Sequence, residues 1–150
     1  MPKIYVLVGV PGAGKTTYAN SKLKDAVYIG TDRIRYEFFG KEMTIQGYRK
    51  VRKEMIHRVI KYVGSGYDVV VDCTNLTPRR RQALLKHLPA GSIPIAIYLK
   101  TRLITALRNN AARDRHVPVP GIIYLYMRQV PPRKSEGFHQ IITVTEKIQD

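Results

Sequence analysis

Ile4-Tyr5-Val6-Leu7-Val8-Gly9-Val10-Pro11-Gly12-Ala13-Gly14-Lys15-Thr16-Thr17 is the stretch on which the reading of this chain turns. Its first five residues are apolar and β-prone with no polar alternation, the pattern of a strand buried on both faces. Gly9 to Thr16 then matches G-x-x-x-x-G-K-[ST] at every fixed position. Glycines serve here because backbone N–H groups must turn inward and approach phosphate oxygens closely, which a Cβ obstructs. The helix expected from Lys15 adds its unpaired amides and positive dipole end. The amides of Gly12, Ala13 and Gly14 are placed to cradle phosphates, and Lys15 to reach the β- and γ-phosphates. Thr16 is placed to ligate Mg²⁺, and Thr17 to touch the α-phosphate. Strand before, helix after, is the context that separates this motif from a chance turn.

Outward from that stretch, strands and helices alternate. Residues 15–24 read as a helix and Val27-Tyr28-Ile29 as a short strand closed by Gly30. Over residues 45–63, Ile45, Tyr48, Val51, Met55, Ile56, Val59, Ile60 and Val63 keep helical spacing, with basic residues between them. Gly64-Ser65-Gly66 stops that helix. Val69-Val70-Val71 is another buried strand. Thr77-Pro78 supplies an N-cap and a first-turn proline for a helix to about residue 88. Residues 93–99 form a strand, 102–113 a helix, and the proline-punctuated stretch 116–120 precedes a helix through residue 130. Residues 131–137 read as a loop and 141–144 as a last strand. This alternation predicts an α/β fold of three layers, a central parallel sheet flanked by helices, as one domain over residues 1–150.

Composition bounds the function. Hydrophobic content of 44% and charged content of 25% are those of a globular domain. One cysteine, Cys73, forms no internal disulfide, and no apolar run spans a bilayer, so a cytoplasmic location is expected. Twenty-six Lys and Arg against eleven Asp and Glu leave a net charge of +15. Such a field draws polyanions; the plainer reading is a merely basic surface, and composition does not choose between them.

In open α/β sheets ligands gather at the carboxyl ends of the strands, and those ends carry the remaining candidates. After the second strand comes Thr31-Asp32-Arg33-Ile34-Arg35. Asp32 there is either a general base for an attacking hydroxyl or a helix N-cap. Arg35, one helical turn on, can hold an anion beside it. The third strand ends in Asp72-Cys73-Thr74-Asn75, where Asp72 is either a partner of Mg²⁺ or a solvated strand-end carboxylate. Thr74 and Asn75 either bond an acceptor or organise the turn before Thr77. Arg108, Arg113 and Arg115 precede Pro118. They are either a solvated face or the source of an arginine over the phosphates.

Together these elements resemble a known family. The phosphate loop, Thr31-Asp32-Arg33-Ile34-Arg35 and Asp72 to Arg80 are similar to the 5′-hydroxyl polynucleotide kinases of the phage type. Asn110-Ala111-Ala112-Arg113, Val117-Pro118 and Tyr126-Met127 continue the likeness, as do Pro131-Pro132 and Glu136-Gly137-Phe138. The resemblance implies a P-loop kinase fold with a helical lid and transfer of the γ-phosphate of ATP, with Mg²⁺, to the 5′-hydroxyl of DNA or RNA. It implies Asp32 as general base, Arg35 as a contact to an acceptor-strand phosphate, Thr74 in the acceptor site and Arg113 as the lid arginine. A kinase of small-molecule hydroxyls is the first alternative reading, and a regulatory P-loop NTPase the second.

Overall fold

Val6, Leu7 and Val8 are consecutive and all fully buried, so the strand that carries them, β1 (Lys3–Val8), has core on both faces. The computed structural model describes residues 1–40, 45–113 and 117–146. Around β1 stand α1 (Lys15–Lys22), β2 (Val27–Gly30), α2 (Thr31–Phe39), α3 (Ile45–Gly64), β3 (Val69–Asp72), α4 (Pro78–Leu85), β4 (Ile93–Lys100), α5 (Leu103–Ala111), α6 (Val119–Arg128) and β5 (Gln140–Thr145). The five strands form one sheet in the order β2-β3-β1-β4-β5, every pairing parallel. The expected three-layer α/β architecture is therefore observed, with β1 at its centre.

The pleat sorts the core into two layers. Ile4, Val6 and Val8 join Val69, Val71 and Ala96 on the face covered by Val51, Met55 and Val59 of α3 and Leu84 of α4. Leu7, Val70, Ile95 and Ile97 face the other way, against Ala19 of α1. A third, smaller cluster brings Val10 of the glycine-rich loop together with Leu76, Ala106 of α5 and Ile122 of α6. It seats the last two helices over the carboxyl edge of the sheet.

Helix ends differ from expectation where local geometry overrides periodicity. α1 stops at Lys22, because Leu23 leaves the helical region at φ −124°, ψ 40°. α4 and α5 are shorter than expected at their carboxyl ends, their last turns continuing only as isolated turn bonds such as Leu88 to Leu85 and Arg113 to Asn110. Pro120 lies inside the first turn of α6 rather than before it, a position where the missing N–H costs nothing. That helix ends at Arg128, Gln129 being extended ahead of Val130-Pro131. The 131–137 loop contains one 3-10 turn, Lys134–Glu136. Thr77 caps α4 as read, accepting from the Arg80 amide. Ile60, assigned to the apolar face of α3, is 44% exposed. Among the described residues no helix is long and apolar enough to cross a membrane.

One polar group sits at the join of these parts. Arg81 of α4 is wholly buried. Its Nε and Nη2 donate to Glu136 Oε2 and Oε1 at 2.8 and 2.7 Å. Nη1 donates to the Asn75 carbonyl at 2.9 Å, and Nη2 also reaches that of Pro131 at 3.4 Å. Removing one member of such a pair strands the other charge in the interior. Glu136→Ala is expected to lower unfolding free energy by about 3–5 kcal/mol in urea denaturation. The apolar double replacement Arg81→Met with Glu136→Leu should recover most of that loss.

Candidate active site

The register places the functional ends of the strands in one row. Leu7 and Gly30 both pair with Asp72, so the residues following β1, β2 and β3 emerge side by side at the carboxyl edge.

Gly12 and Gly14 have φ of +88° and +90°, the left-handed region that an L-residue rarely enters. Gly12 is required twice over, since a Cβ there would lie 2.3 Å from the Ala106 carbonyl oxygen. The loop's carbonyls are occupied from outside. Asn109 Nδ2 donates to the Gly12 carbonyl at 2.9 Å, Thr101 Oγ1 to that of Ala13 at 3.3 Å, and Lys15 Nζ to that of Gly9 at 2.8 Å. Turning the carbonyls outward presents amides inward, and α1 adds N–H groups that no helix residue can satisfy. This is an anion cradle, with Thr17 exposed on its helical side. Burial pushes the Lys15 ammonium below its ordinary range. Asp72, Cys73 and Asp32 pull it back up, and Arg113 pushes it further down. Lys15 thus lies within the electrostatic reach of Asp32, Asp72 and Arg113.

Asp72 is buried at the end of β3. Its Oδ2 accepts from Thr16 Oγ1 at 3.0 Å and from the Tyr28 hydroxyl. A threonine hydroxyl and a carboxylate within hydrogen-bond distance, beside a phosphate cradle, are the hard oxygen donors that suit Mg²⁺. Burial and the neighbouring carboxylate push the Tyr28 phenol far above its ordinary value, so it remains a donor. Tyr28 reads as a plain strand residue in the sequence; only the tertiary fold brings its hydroxyl to Asp72.

Asp32 is not an N-cap. Gly30 occupies that position, without a side-chain bond, and Asp32 stands in the first turn of α2 with its side chain 69% exposed. Arg35 Nη1 donates to Asp32 Oδ1 at 2.6 Å. Arg35 Nε is buried with no partner. Arg35 borders a cavity of about 90 Å³ with Thr31, Tyr48, Arg52, Cys73 and Thr74. That cavity shares Tyr48, Arg52, Thr74 and Arg80 with a groove of about 640 Å³. Arg79, Tyr124 and Arg128 line the groove's far side. Arg80 Nη1 donates to Tyr48 Oη at 2.7 Å, and the Arg128 guanidinium lies 5.5 Å from the Tyr124 ring centroid.

One expectation changes here. Asn75, read with Thr74 as an acceptor contact, is turned into the core: it is 1% exposed, and its Nδ2 reaches the Leu7 carbonyl at 3.5 Å. A side chain that bridges β1 to the loop after β3 organises the site from beneath. Of the three arginines, Arg108 and Arg113 are exposed, while Arg115 lies outside the described residues.

Cys73 sits between Asp72 and Thr74 with its thiol pushed up to about 11, mainly by burial and against the pull of Lys15. At pH 8 little thiolate is present. Alkylation by iodoacetamide should run on the order of 100-fold slower than at an ordinary free thiol. It should accelerate as the pH approaches 11 and equal the free-thiol rate once the chain is unfolded in urea.

Comparison with known proteins agrees with this geometry. A chain of the Pnkp1/Rnl/Hen1 RNA repair complex superposes with a TM-score of 0.76 at 20% identity, covering 85% of this chain and 43% of that one. This chain thus spans less than half the length of that relative. A sugar kinase from Janibacter sp. HTCC2649 gives 0.71 at 16% identity, over 97% and 86% of the two chains. Shikimate kinase from Bacteroides thetaiotaomicron gives 0.64 at 16% identity, over 95% and 86%. At these identities the likeness is one of fold, and the shared fold is that of the P-loop kinases. The AAA domain family matches residues 4–129, which hold the phosphate cradle, both carboxylates and the arginine-lined groove, and the chain belongs to that family.

Proposed function

We propose that this protein transfers the γ-phosphoryl group of ATP to the 5′-hydroxyl of a nucleic-acid strand. The observation that carries the acceptor reading is the groove that opens from the small cavity bordered by Arg35 and Thr74. Arg52, Arg79, Arg80 and Arg128 line it together with Tyr48 and Tyr124. Guanidinium groups pair with backbone phosphates, and tyrosine rings offer faces on which bases stack. A small polyol needs neither. The likeness to a chain of an RNA repair complex and the net charge of +15 support the same acceptor.

In this reading the amides after Gly9 and the Lys15 ammonium hold the triphosphate. Thr16 and Asp72 would hold Mg²⁺, which when bound offsets negative charge on the phosphates. Asp32 takes the proton of the 5′-hydroxyl as its oxygen bonds the γ-phosphorus and the bond to ADP breaks. The orphaned Nε of Arg35 is satisfied by a phosphate of the acceptor strand, while its Nη1 keeps Asp32 in place. Arg113, near enough to perturb Lys15, stabilises the charge that spreads over the transferred group.

The alternative acceptor is a small-molecule hydroxyl. It is favoured by the sugar and shikimate kinases, of which this chain spans far more than it does of the RNA-repair relative. Transfer of labelled γ-phosphate to a panel of 5′-hydroxyl oligonucleotides, nucleosides and sugars separates the two. Equal transfer to a sugar and to an oligonucleotide would favour the alternative.

Asp32→Asn keeps the shape and loses the proton acceptor, so kcat should fall ~10²–10⁴-fold with nearly unchanged ATP affinity. An undiminished rate removes Asp32 as the base. Arg80→Ala and Arg128→Ala should each weaken oligonucleotide binding while sparing ATP. Each should also flatten the plot of log K against log salt by about 0.7 for every phosphate left without its guanidinium. A salt profile identical to that of the unaltered protein would show that the groove does not carry the strand.

A further inference from the structure

Tyr28 is held by more than its strand. On one side its hydroxyl meets Asp72 Oδ2, the oxygen that also accepts from Thr16. On the other, the guanidinium of Arg33 lies over its ring, 4.6 Å from the centroid. Arg33 adjoins Asp32 in the first turn of α2. The ring therefore bridges the carboxylate that faces the phosphate cradle to the helix that carries the candidate base.

Gly30 explains how the ring fits. Its φ of −119° is open to any residue, so conformation does not demand glycine. Space does: a Cβ at Gly30 would lie 2.8 Å from Tyr28 Cε1 and 2.9 Å from its hydroxyl oxygen. The chain leaves out a side chain at the site's edge, and the tyrosine occupies the vacated room.

We propose that Tyr28 is a positioning residue for the divalent-cation site: its hydroxyl fixes the Asp72 carboxylate beside Thr16 before Mg²⁺ and nucleotide arrive. A strand-end aspartate has two torsions free. Two donors on the same oxygen remove that freedom. Outer contacts of this kind orient the groups that meet a metal, and removing one typically weakens metal affinity about 10–100-fold. The inference rests on the reading of Thr16 and Asp72 as the Mg²⁺ site, made above.

The test uses the whole chain and reads binding rather than turnover. ADP and ATP affinities are measured by calorimetry in EDTA and across a Mg²⁺ titration, for the unaltered protein, Tyr28→Phe and Gly30→Ala. Mn²⁺ binding followed by electron paramagnetic resonance serves as a second readout. Tyr28→Phe keeps the ring and its packing against Arg33, so affinity in EDTA should change less than about twofold. The Mg²⁺ concentration giving half of the metal-dependent gain should rise about tenfold or more. Gly30→Ala, which displaces the ring, should reproduce that shift. An unaltered Mg²⁺ titration in Tyr28→Phe overturns the assignment. So does an equal loss with and without metal, which would mark the tyrosine as packing for the loop. If the unaltered protein itself gains no nucleotide affinity from Mg²⁺, the metal site fails first and Tyr28 with it.

Discussion

The guanidinium of Arg81 is where separate stretches of the chain are joined, and the site depends on that junction. A charge this deep in the core would be prohibitive alone. Here it is satisfied by a bidentate carboxylate and two carbonyls. One of those carbonyls belongs to Asn75, in the loop after β3. Leu76, next to it, accepts from the Val130 amide at 2.8 Å. The loop is thereby clamped from both sides, and Thr74 is presented to the cavity as a consequence. Well-packed apolar residues fill such a space as stably. What they lack is direction: only a planar fork bonds the acid and the backbone at once, and so sets where the loop after β3 sits relative to Glu136.

That junction bears on how two carboxylates share one sheet edge without sharing a role. Asp72 is buried and takes two donors on one oxygen. Asp32 is largely exposed and is held by a single arginine arm. The first environment suits a fixed ligand, and the second leaves an oxygen open, as the proposed base requires. Both acids pull the Lys15 ammonium up, and Cys73, next to Asp72, is a thiol that burial keeps neutral.

Legibility follows the range over which each feature is determined. The phosphate loop is local: the apolar and glycine positions ahead of Lys15 and Thr16 dictate strand, turn and helix whatever packs around them. The parallel sheet is legible for a related reason, since Val69-Val70-Val71 and the β1 run have no polar face to offer water. Asp32, Arg35 and Asp72 stand out because strand ends are where such sheets bind ligands. Asn75 misleads because a polar residue in a loop ordinarily faces outward. Its amide instead meets a β1 carbonyl 68 positions earlier, a bond that no local pattern encodes. Arg81 and Tyr28 are hidden in the same way. Each looks like an ordinary helix or strand residue until a partner from far along the chain arrives. The groove is only half visible in the sequence: its arginines read as the outer positions of a helix and Tyr48 as part of an apolar face.

The groove also shows why fold and acceptor are separable here. A P-loop, an exposed strand-end acid and a buried carboxylate beside it are compatible with a sugar, a shikimate-like acid or a polynucleotide, and the fold alone does not choose. Choice rests on what surrounds the hydroxyl. A small acceptor must be enclosed, because its few polar groups are its whole identity and each has to be met. A strand is recognised along its length by repeated charge and repeated ring faces, and for that an open trough is better than a pocket. Between Arg35 and Thr74 the cavity is only about 90 Å³, and it shares its wall with a groove several times larger. The enclosed part suits one terminal hydroxyl and the open part suits what that hydroxyl is attached to. Arginine rather than lysine at Arg52, Arg79, Arg80 and Arg128 fits the same logic. A planar guanidinium can pair with phosphate and also lie against a ring, and Arg80 and Arg128 are 5.8 and 5.5 Å from the Tyr48 and Tyr124 centroids. Those contacts hold the cations in place, which would lower the ordering cost of binding the proposed strand.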